Sequence, residues 1–226
     1  MKARLFAMPG KLKTVLWGEN WLDIFLYLLF VSFFLAPFLD SPSVRLLTSL
    51  LYSLLMIAGV VSMSNRPAIR LAAGMLACVA ITLRWLKHIL PSPMIIKLGS
   101  LTVLVFMIML VIVTLVKVFG EGKVTIHKVK GAIAVYLLFG LTWSILYGLL
   151  DQTLPHAFSL PPDSGTFSPE RQEALSYFSF VTLTTLGYGD ITPTHEISRM
   201  FAIMEGLCGQ LYPATLLARL VSLELM

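Results

Sequence analysis

Long apolar runs, separated by polar connections, dominate the pattern of this chain. A helix needs about 20 consecutive apolar residues to cross the hydrocarbon core of a bilayer, and six runs of that kind follow one another. They cover residues 21–39, 44–63, 69–90, 94–119, 129–150 and 196–223. Such runs must be helical in lipid, because only helices and closed barrels satisfy all of their own backbone hydrogen bonds there. The pattern therefore predicts an all-α membrane protein with six transmembrane helices.

One connection, residues 151–195, is much longer than the others and is organised differently. Residues 168–170, Ser-Pro-Glu, suit the start of a further helix, since proline fits the first turn and glutamate complements the positive end of the helix dipole. This helix is expected to end at about Thr184, after which residues 185–190 read Thr-Leu-Gly-Tyr-Gly-Asp. Irregular backbone at membrane depth is tolerated only where protein buries it or where it lines a water-filled path. A re-entrant helix followed by such a loop is therefore predicted.

The glycines of this loop suit a backbone that coordinates a cation. Gly187 and Gly189 alternate with larger residues and can adopt left-handed conformations that other residues avoid. Successive carbonyls can then point toward one axis. A ring of four such loops would form stacked cages of about eight oxygens that replace the water shell of a potassium ion, with a threonine hydroxyl as the innermost ring. The alternative is an ordinary glycine-rich loop between two helices.

Residues 182–190, Thr-Leu-Thr-Thr-Leu-Gly-Tyr-Gly-Asp, closely resemble the selectivity-filter signature of tetrameric potassium channels. The resemblance is to a prokaryotic-type subunit of the six-transmembrane, voltage-gated-like superfamily, with leucine at position 186 where valine is usual. It implies a homotetramer, in which each chain has three identical partners, with potassium as the permeant ion and only metal, and no other cofactor. The implied ion-binding residues are Thr185, Leu186, Gly187, Tyr188 and Gly189.

The same resemblance implies residues that support the filter. Tyr177 and Phe178 stand where the family usually has two tryptophans, and Val181 stands where some bacterial members have glutamate. Because the glutamate–aspartate bond of those members is then impossible, we expect Asp190 to accept a hydrogen bond from the Tyr177 hydroxyl. Tyr177 and Phe178, with Phe180, are expected to form an aromatic cuff around the filter. The predicted supporting residues are Tyr177, Phe178, Val181, Thr184 and Asp190.

The last apolar run contains residues typical of a gating hinge. Gly209 follows Asp190 by nineteen residues, which matches the hinge glycine of the family. Gly206 precedes Gly209 by about one turn, and Pro213 follows it by about one turn and interrupts the backbone hydrogen bonds. The alternative is that the two glycines only allow close packing, which is common in membrane helices.

Glu205 lies in the same run, at membrane depth. Ionisable residues inside a membrane are expensive and usually functional. Its expected partners are hydroxyls of the re-entrant helix, such as Ser179 or Thr182. The alternative, a protonated structural glutamate with one hydrogen bond, is equally compatible with the sequence.

Composition and charge narrow the class further. The chain has 226 residues, of which 57% are hydrophobic and 13% charged, and this excludes an ordinary soluble domain. With the N-terminus inside, eleven Lys and Arg residues lie on the inner side and six on the outer. We therefore expect cytoplasmic N- and C-termini and a multi-pass protein of the cell membrane, plasma or inner. The basic residues stand at the ends of runs, which indicates contact with membrane lipids and not with nucleic acid.

Some polar and small residues received plainer interpretations. Cys78 and Cys208 lie inside apolar runs and are expected to be small buried residues without a disulfide. Asp151 and Asp163 are expected to be ordinary solvated residues of the long connection.

The chain divides into two predicted domains. Residues 1–119 comprise an N-terminal segment and four helices that resemble a voltage-sensor domain in number and position only, and residues 120–226 form the pore domain. A sensor needs charges that cross the field, yet residues 98–116 of the fourth run contain no ionisable side chain. Arg84 and Lys87 form only a pair, expected to snorkel near the outer surface. The first domain is therefore predicted not to sense voltage.

This pattern favours one of three functions. The prediction is a potassium-selective channel with weak or no intrinsic voltage dependence. The alternative is a potassium transporter subunit with a filter-like pore loop, although transporters of that kind carry four degenerate pore repeats and this chain has one. An enzyme, with catalytic residues, is not expected, because the sequence contains no metal-ligand cluster, nucleophile motif or phosphate-binding loop.

Overall fold

The computed structural model describes residues 20–35, 42–62, 67–90, 92–120, 125–160 and 169–224. Seven helices and two short strands occur in these ranges. In chain order they are α1 Asn20–Leu35, α2 Pro42–Ser62, α3 Pro67–Ile89, α4 Pro93–Val118, α5 Ile126–Thr153, β1 Phe158–Ser159, α6 Pro169–Leu183, β2 Thr192–Pro193 and α7 Glu196–Glu224. The predictions that concern residues 1–19 and Asp163 lie outside the described residues.

Proline determines where several helices begin. Helices α2, α3, α4 and α6 each have proline as their first residue. Proline is favoured there because its fixed φ suits a helix and its missing N–H would have no partner in the first turn. At α4, Ser92 is extended, with φ −95° and ψ 136°, as expected for a residue that precedes proline. A proline therefore marks the start of these four helices.

Three helices are long and apolar enough to cross a membrane, within the part of the chain that the structure describes. They are Pro67–Ile89, Pro93–Val118 and Ile126–Thr153. The chain is therefore an all-helical membrane protein apart from its two short strands. Helices also occupy the other three predicted runs, at α1, α2 and α7. That these three also cross the membrane remains a prediction.

The largest apolar core joins the first four helices to α5. Its buried members include Phe25 from α1, Leu55 from α2, Phe106 from α4 and Leu138 from α5. Helix α3 contributes three buried alanines, Ala73, Ala77 and Ala80, whose spacing places them on one face. Small side chains on that face allow neighbouring helices to approach closely. The two predicted domains thus share one core.

Two interpretations of single residues in the first four helices were wrong. Cys78 is exposed on the chain and not buried. Arg84 does not snorkel outward, because its guanidinium lies 4.4 Å from the centroid of the Tyr52 ring in α2. A cation above an aromatic face is stabilised by the ring quadrupole, and this explains why the side chain turns toward α2.

A short antiparallel pairing closes the loops around α6. Phe158 pairs with Pro193 and Ser159 with Thr192, and the Thr194 N–H donates to the Ala157 carbonyl at 3.1 Å. The segment after α5 is thereby tied to the segment before α7. This sheet was not predicted, because two-residue strands leave no periodicity in the sequence.

Candidate functional site

Helix α6, which we call the pore helix, is held against α5 by two glycines. A Cβ at Gly140 would lie 2.4 Å from the Phe180 ring, and one at Gly148 would lie 2.3 Å from Gln172 Oε1. A methyl group at either position would therefore require the Phe180 ring or the Gln172 side chain to move. The pairing of 140 with 180 and of 148 with 172 shows that the two helices run in opposite directions. Polar contacts reinforce this packing, since Gln172 Nε2 donates to Ser144 Oγ at 3.0 Å.

An ion pair fixes the first turn of the pore helix. The Arg171 guanidinium binds both carboxylate oxygens of Asp151, with Nη2 to Oδ1 at 2.8 Å and Nε to Oδ2 as the second contact. Asp151 is only 8% exposed. The expectation that Asp151 is an ordinary solvated residue was therefore wrong. Bidentate pairing with arginine explains why this carboxylate can be buried.

The C-terminal end of the pore helix forms a Schellman motif. The Leu186 N–H donates to the Val181 carbonyl at 3.0 Å, and the Thr185 N–H donates to the Thr182 carbonyl at 3.0 Å. This pattern requires a left-handed residue just after the helix, which is usually glycine. Here that residue is Thr185, with φ 61°. A β-branched residue in the left-handed region is rare and costs about 1–2 kcal/mol. The chain has threonine at position 185 despite this strain.

Beyond Thr185, the backbone alternates in handedness. Gly187 and Gly189 have positive φ, of 58° and 81°, whereas φ is negative at Leu186 and Tyr188. A Cβ at either glycine would meet nothing within 4 Å in the chain. Glycine is therefore required at both positions by backbone conformation and not by lack of space. The side chains of Leu186 and Tyr188 lie 59% and 66% exposed on the single chain.

The predicted supporting residues lie in two different environments. Phe178 is buried and packs with Tyr147, Phe158 and Ile191, with ring centroids 5.2 Å from Tyr147 and 5.4 Å from Phe158. Phe180 packs on Gly140 of α5. Both rings therefore anchor the pore helix to its surroundings within the chain, and a cuff around the filter remains a prediction for them.

The other supporting residues lie near the loop itself. Val181 is buried and accepts the loop amides through its carbonyl. Thr184 Oγ1 donates to the Phe180 carbonyl at 2.6 Å, within its own helix. Interaction with the Asp190 side chain raises the pKa of the Tyr177 phenol. The hydrogen bond from the Tyr177 hydroxyl to Asp190 remains a prediction.

Helix α7 meets the end of the pore helix at Gly209. A Cβ at this position would lie 1.9 Å from the Leu183 carbonyl oxygen, whereas one at Gly206 would meet nothing within 4 Å. The same Leu183 oxygen accepts a hydrogen bond from the Tyr136 hydroxyl at 3.2 Å. Close packing is therefore a sufficient reason for glycine at 209 but not at 206. Bending of α7 at these residues and Pro213 remains a prediction.

Glu205 is fully buried and has two hydroxyl partners. The Tyr147 hydroxyl donates to Oε2 at 2.5 Å, and Ser179 Oγ lies 2.5 Å from Oε1. Ser179 was one of the two partners expected from the sequence. Tyr147 was missed, because a tyrosine inside an apolar run is indistinguishable from an ordinary core aromatic. Of the alternative, a protonated structural glutamate with one hydrogen bond, only the number of hydrogen bonds is contradicted.

Comparisons with known proteins indicate the family of the chain. A family model described as an ion channel matches residues 131–224, which contain most of α5, the pore helix, the loop and α7. Protein LctB of Bacillus caldotenax is 30% identical over 109 residues, which are 47% of this chain and 79% of that protein. Protein LctB of Geobacillus stearothermophilus is 36% identical over 83 residues, which are 36% of this chain and 60% of that protein. The chain belongs to the ion channel family.

Proposed function

We propose that the chain is the subunit of a homotetrameric potassium-selective channel. The observation that carries this proposal is that every second residue, Thr185, Gly187 and Gly189, has a left-handed φ. These residues directly follow the pore helix, and the chain is a membrane protein. A chain that alternates in this way can aim successive carbonyl oxygens to one side. Rings of carbonyls that replace the hydration shell are how potassium filters bind their ion. The proposed ligands are the carbonyls of residues 185–189 and the Thr185 hydroxyl.

The tetramer follows from the number of loops. Each chain supplies one such loop, and a cage that surrounds an ion with about eight oxygens needs four. Four identical chains around one axis give closed cyclic symmetry. The exposed Leu186 and Tyr188 side chains suit contacts behind the filter with neighbouring subunits.

The proposed setting is a cell membrane with six helices per subunit. Helices occur at all six apolar runs, and the excess of Lys and Arg on one side favours cytoplasmic N- and C-termini. The loop would then enter from the outer side. The chain would contact three identical subunits and membrane lipids, without a cofactor other than the permeant potassium.

Weak or absent voltage dependence is part of the proposal. Residues 98–116 of α4 carry no ionisable side chain, and moving one charge across the membrane is worth about 2.3 kcal/mol per 100 mV. Arg84 of α3 is held on the Tyr52 ring, and this contact opposes movement through the field. Gating is then left to the filter or to bending of α7.

A flux measurement on purified protein tests the proposal. Protein in sealed vesicles should release potassium much faster than sodium under equal gradients, and its mass in mild detergent should be that of four chains. The matched control is Gly187→Ala, which adds one methyl group where nothing in the chain crowds it but opposes the left-handed backbone. Equal potassium and sodium fluxes, or a monomer or dimer as the conducting species, would contradict the proposal.

A further inference from the structure

Glu205 connects α7 to α5 and to the pore helix. It belongs to α7 and is 0% exposed. Its Oε2 accepts from Tyr147 of α5, and its Oε1 contacts Ser179 of the pore helix. Ser179 Oγ also lies 2.8 Å from the Gly140 carbonyl oxygen of α5. Ser179 precedes Thr185, the first filter residue, by six positions.

A count of hydrogens determines the protonation state of Glu205. Ser179 has one hydroxyl hydrogen, and the Gly140 carbonyl can only accept. If Glu205 were ionised, that single hydrogen would have to serve both the Gly140 and the Glu205 contact. If Oε1 carries a proton, Glu205 donates to Ser179, Ser179 donates to Gly140, and Tyr147 donates to Oε2. Each of the three contacts then contains one hydrogen, so the protonated acid satisfies the network.

The surroundings of Glu205 favour the same state. Both hydrogen-bonding partners, Tyr147 and Ser179, are neutral hydroxyls. An ionised carboxylate at membrane depth is costly unless a cation pairs with it. A neutral acid avoids that cost and still donates one hydrogen bond and accepts another.

We propose that Glu205 is a protonated carboxylic acid in the working channel and that it positions the pore helix, and through it the filter. The effect of Glu205 on the filter rests on the proposed function, whereas the protonation of Glu205 does not. Glu205 holds Ser179, and four residues later on both helices Gly209 packs on Leu183. Pore helix and α7 therefore run side by side in the same direction, with contacts one turn apart. The second contact, at Leu183, lies within the Schellman motif that leads into the filter.

The protonation is tested by infrared spectroscopy of the purified protein at neutral pH. The wild type should show the carbonyl band of a protonated carboxylic acid, shifted in deuterated water, and E205Q should lack it. A wild-type spectrum without this band, or with a band that persists in E205Q, would overturn the inference. Neither outcome depends on which ion the channel selects.

The positioning role is tested with two variants of similar size. In E205Q the amide can accept from Tyr147 and donate to Ser179, so the filter should inactivate at a rate within about twofold of the wild type. E205L offers neither contact, so inactivation should be faster by at least about tenfold, which is the effect of losing even one buried hydrogen bond. Equal effects of E205Q and E205L would show that the charge matters and overturn the inference. An unchanged rate in E205L would equally overturn it.

The two hypotheses fail in distinguishable ways. A wild-type channel without potassium selectivity would refute the proposed function and leave the infrared result unaffected. If E205L does not assemble, Y147F takes its place, because it removes only the hydroxyl that donates to Oε2. Y147F should then speed inactivation, and wild-type kinetics in Y147F would contradict the positioning role.

Discussion

Replacement of Gly209 by alanine gives a direct test of how α7 meets the filter. A Cβ at this position would lie 1.9 Å from the Leu183 carbonyl oxygen and 2.8 Å from its carbon. Real Cβ atoms essentially never approach such atoms within 3.0 Å. Since the obstacle is backbone, no side-chain rotation can relieve the clash. The pore helix and α7 would have to separate locally by about 1 Å.

The magnitude follows from comparison with Gly206→Ala. Both substitutions gain helix propensity of about 1 kcal/mol, and a Cβ at Gly206 meets nothing within 4 Å. The propensity gain cancels between the two variants, so their difference in unfolding free energy measures the clash alone. Overpacking of this kind costs about 1–3 kcal/mol. Gly206→Ala should be at least as stable as the wild type, and Gly209→Ala should be less stable than Gly206→Ala by that amount.

The assay is thermal unfolding of the purified protein in mild detergent, followed by tryptophan fluorescence and by retention of the assembled state. Gly209→Ala should melt below Gly206→Ala and lose its assembly first. A purely flexible hinge predicts the opposite, because alanine would then stiffen α7 without a clash. Equal melting of the two variants would therefore refute the packing argument.

Three further substitutions test the site and the first four helices. Gly187→Ala should abolish selective conduction, because a methyl group opposes φ 58° at a cost of about 1–2 kcal/mol in each chain; selective currents in this variant would contradict the filter assignment. Tyr177→Phe should speed inactivation, because it removes the hydroxyl that is predicted to donate to Asp190, and unchanged kinetics would contradict that hydrogen bond. Neutralising Arg84 and Lys87 to Gln should leave the conductance–voltage curve shallow and unshifted; a steep wild-type curve flattened by these changes would show that the pair senses voltage.

The apolar pattern predicted most of the helices, and in the structure a proline marks where several of them begin. Pro42, Pro67, Pro93 and Pro169 are each the first residue of a helix, because the chemistry of proline acts locally. The backbone conformation of the loop was also predictable from the local sequence, since Gly187 and Gly189 have the left-handed φ that their spacing indicated.

Features that depend on tertiary contacts were not predictable. The left-handed backbone conformation of Thr185 is unusual for threonine. It is explained only by the Schellman motif in which the residue lies. Burial of Asp151 depends on Arg171, twenty residues away, and neither residue has a local signature. The contact of Tyr147 with Glu205 spans 58 residues, so only the folded chain brings the two together.

The reversal potential under bi-ionic conditions tests the central claim most directly. With potassium inside and sodium outside at equal concentrations, a filter built from residues 185–189 should give a strongly negative reversal potential, because carbonyl cages replace the hydration shell of potassium better than that of sodium. Gly187→Ala, measured in the same bilayers, supplies the matched control. A wild-type reversal potential near zero would contradict the account.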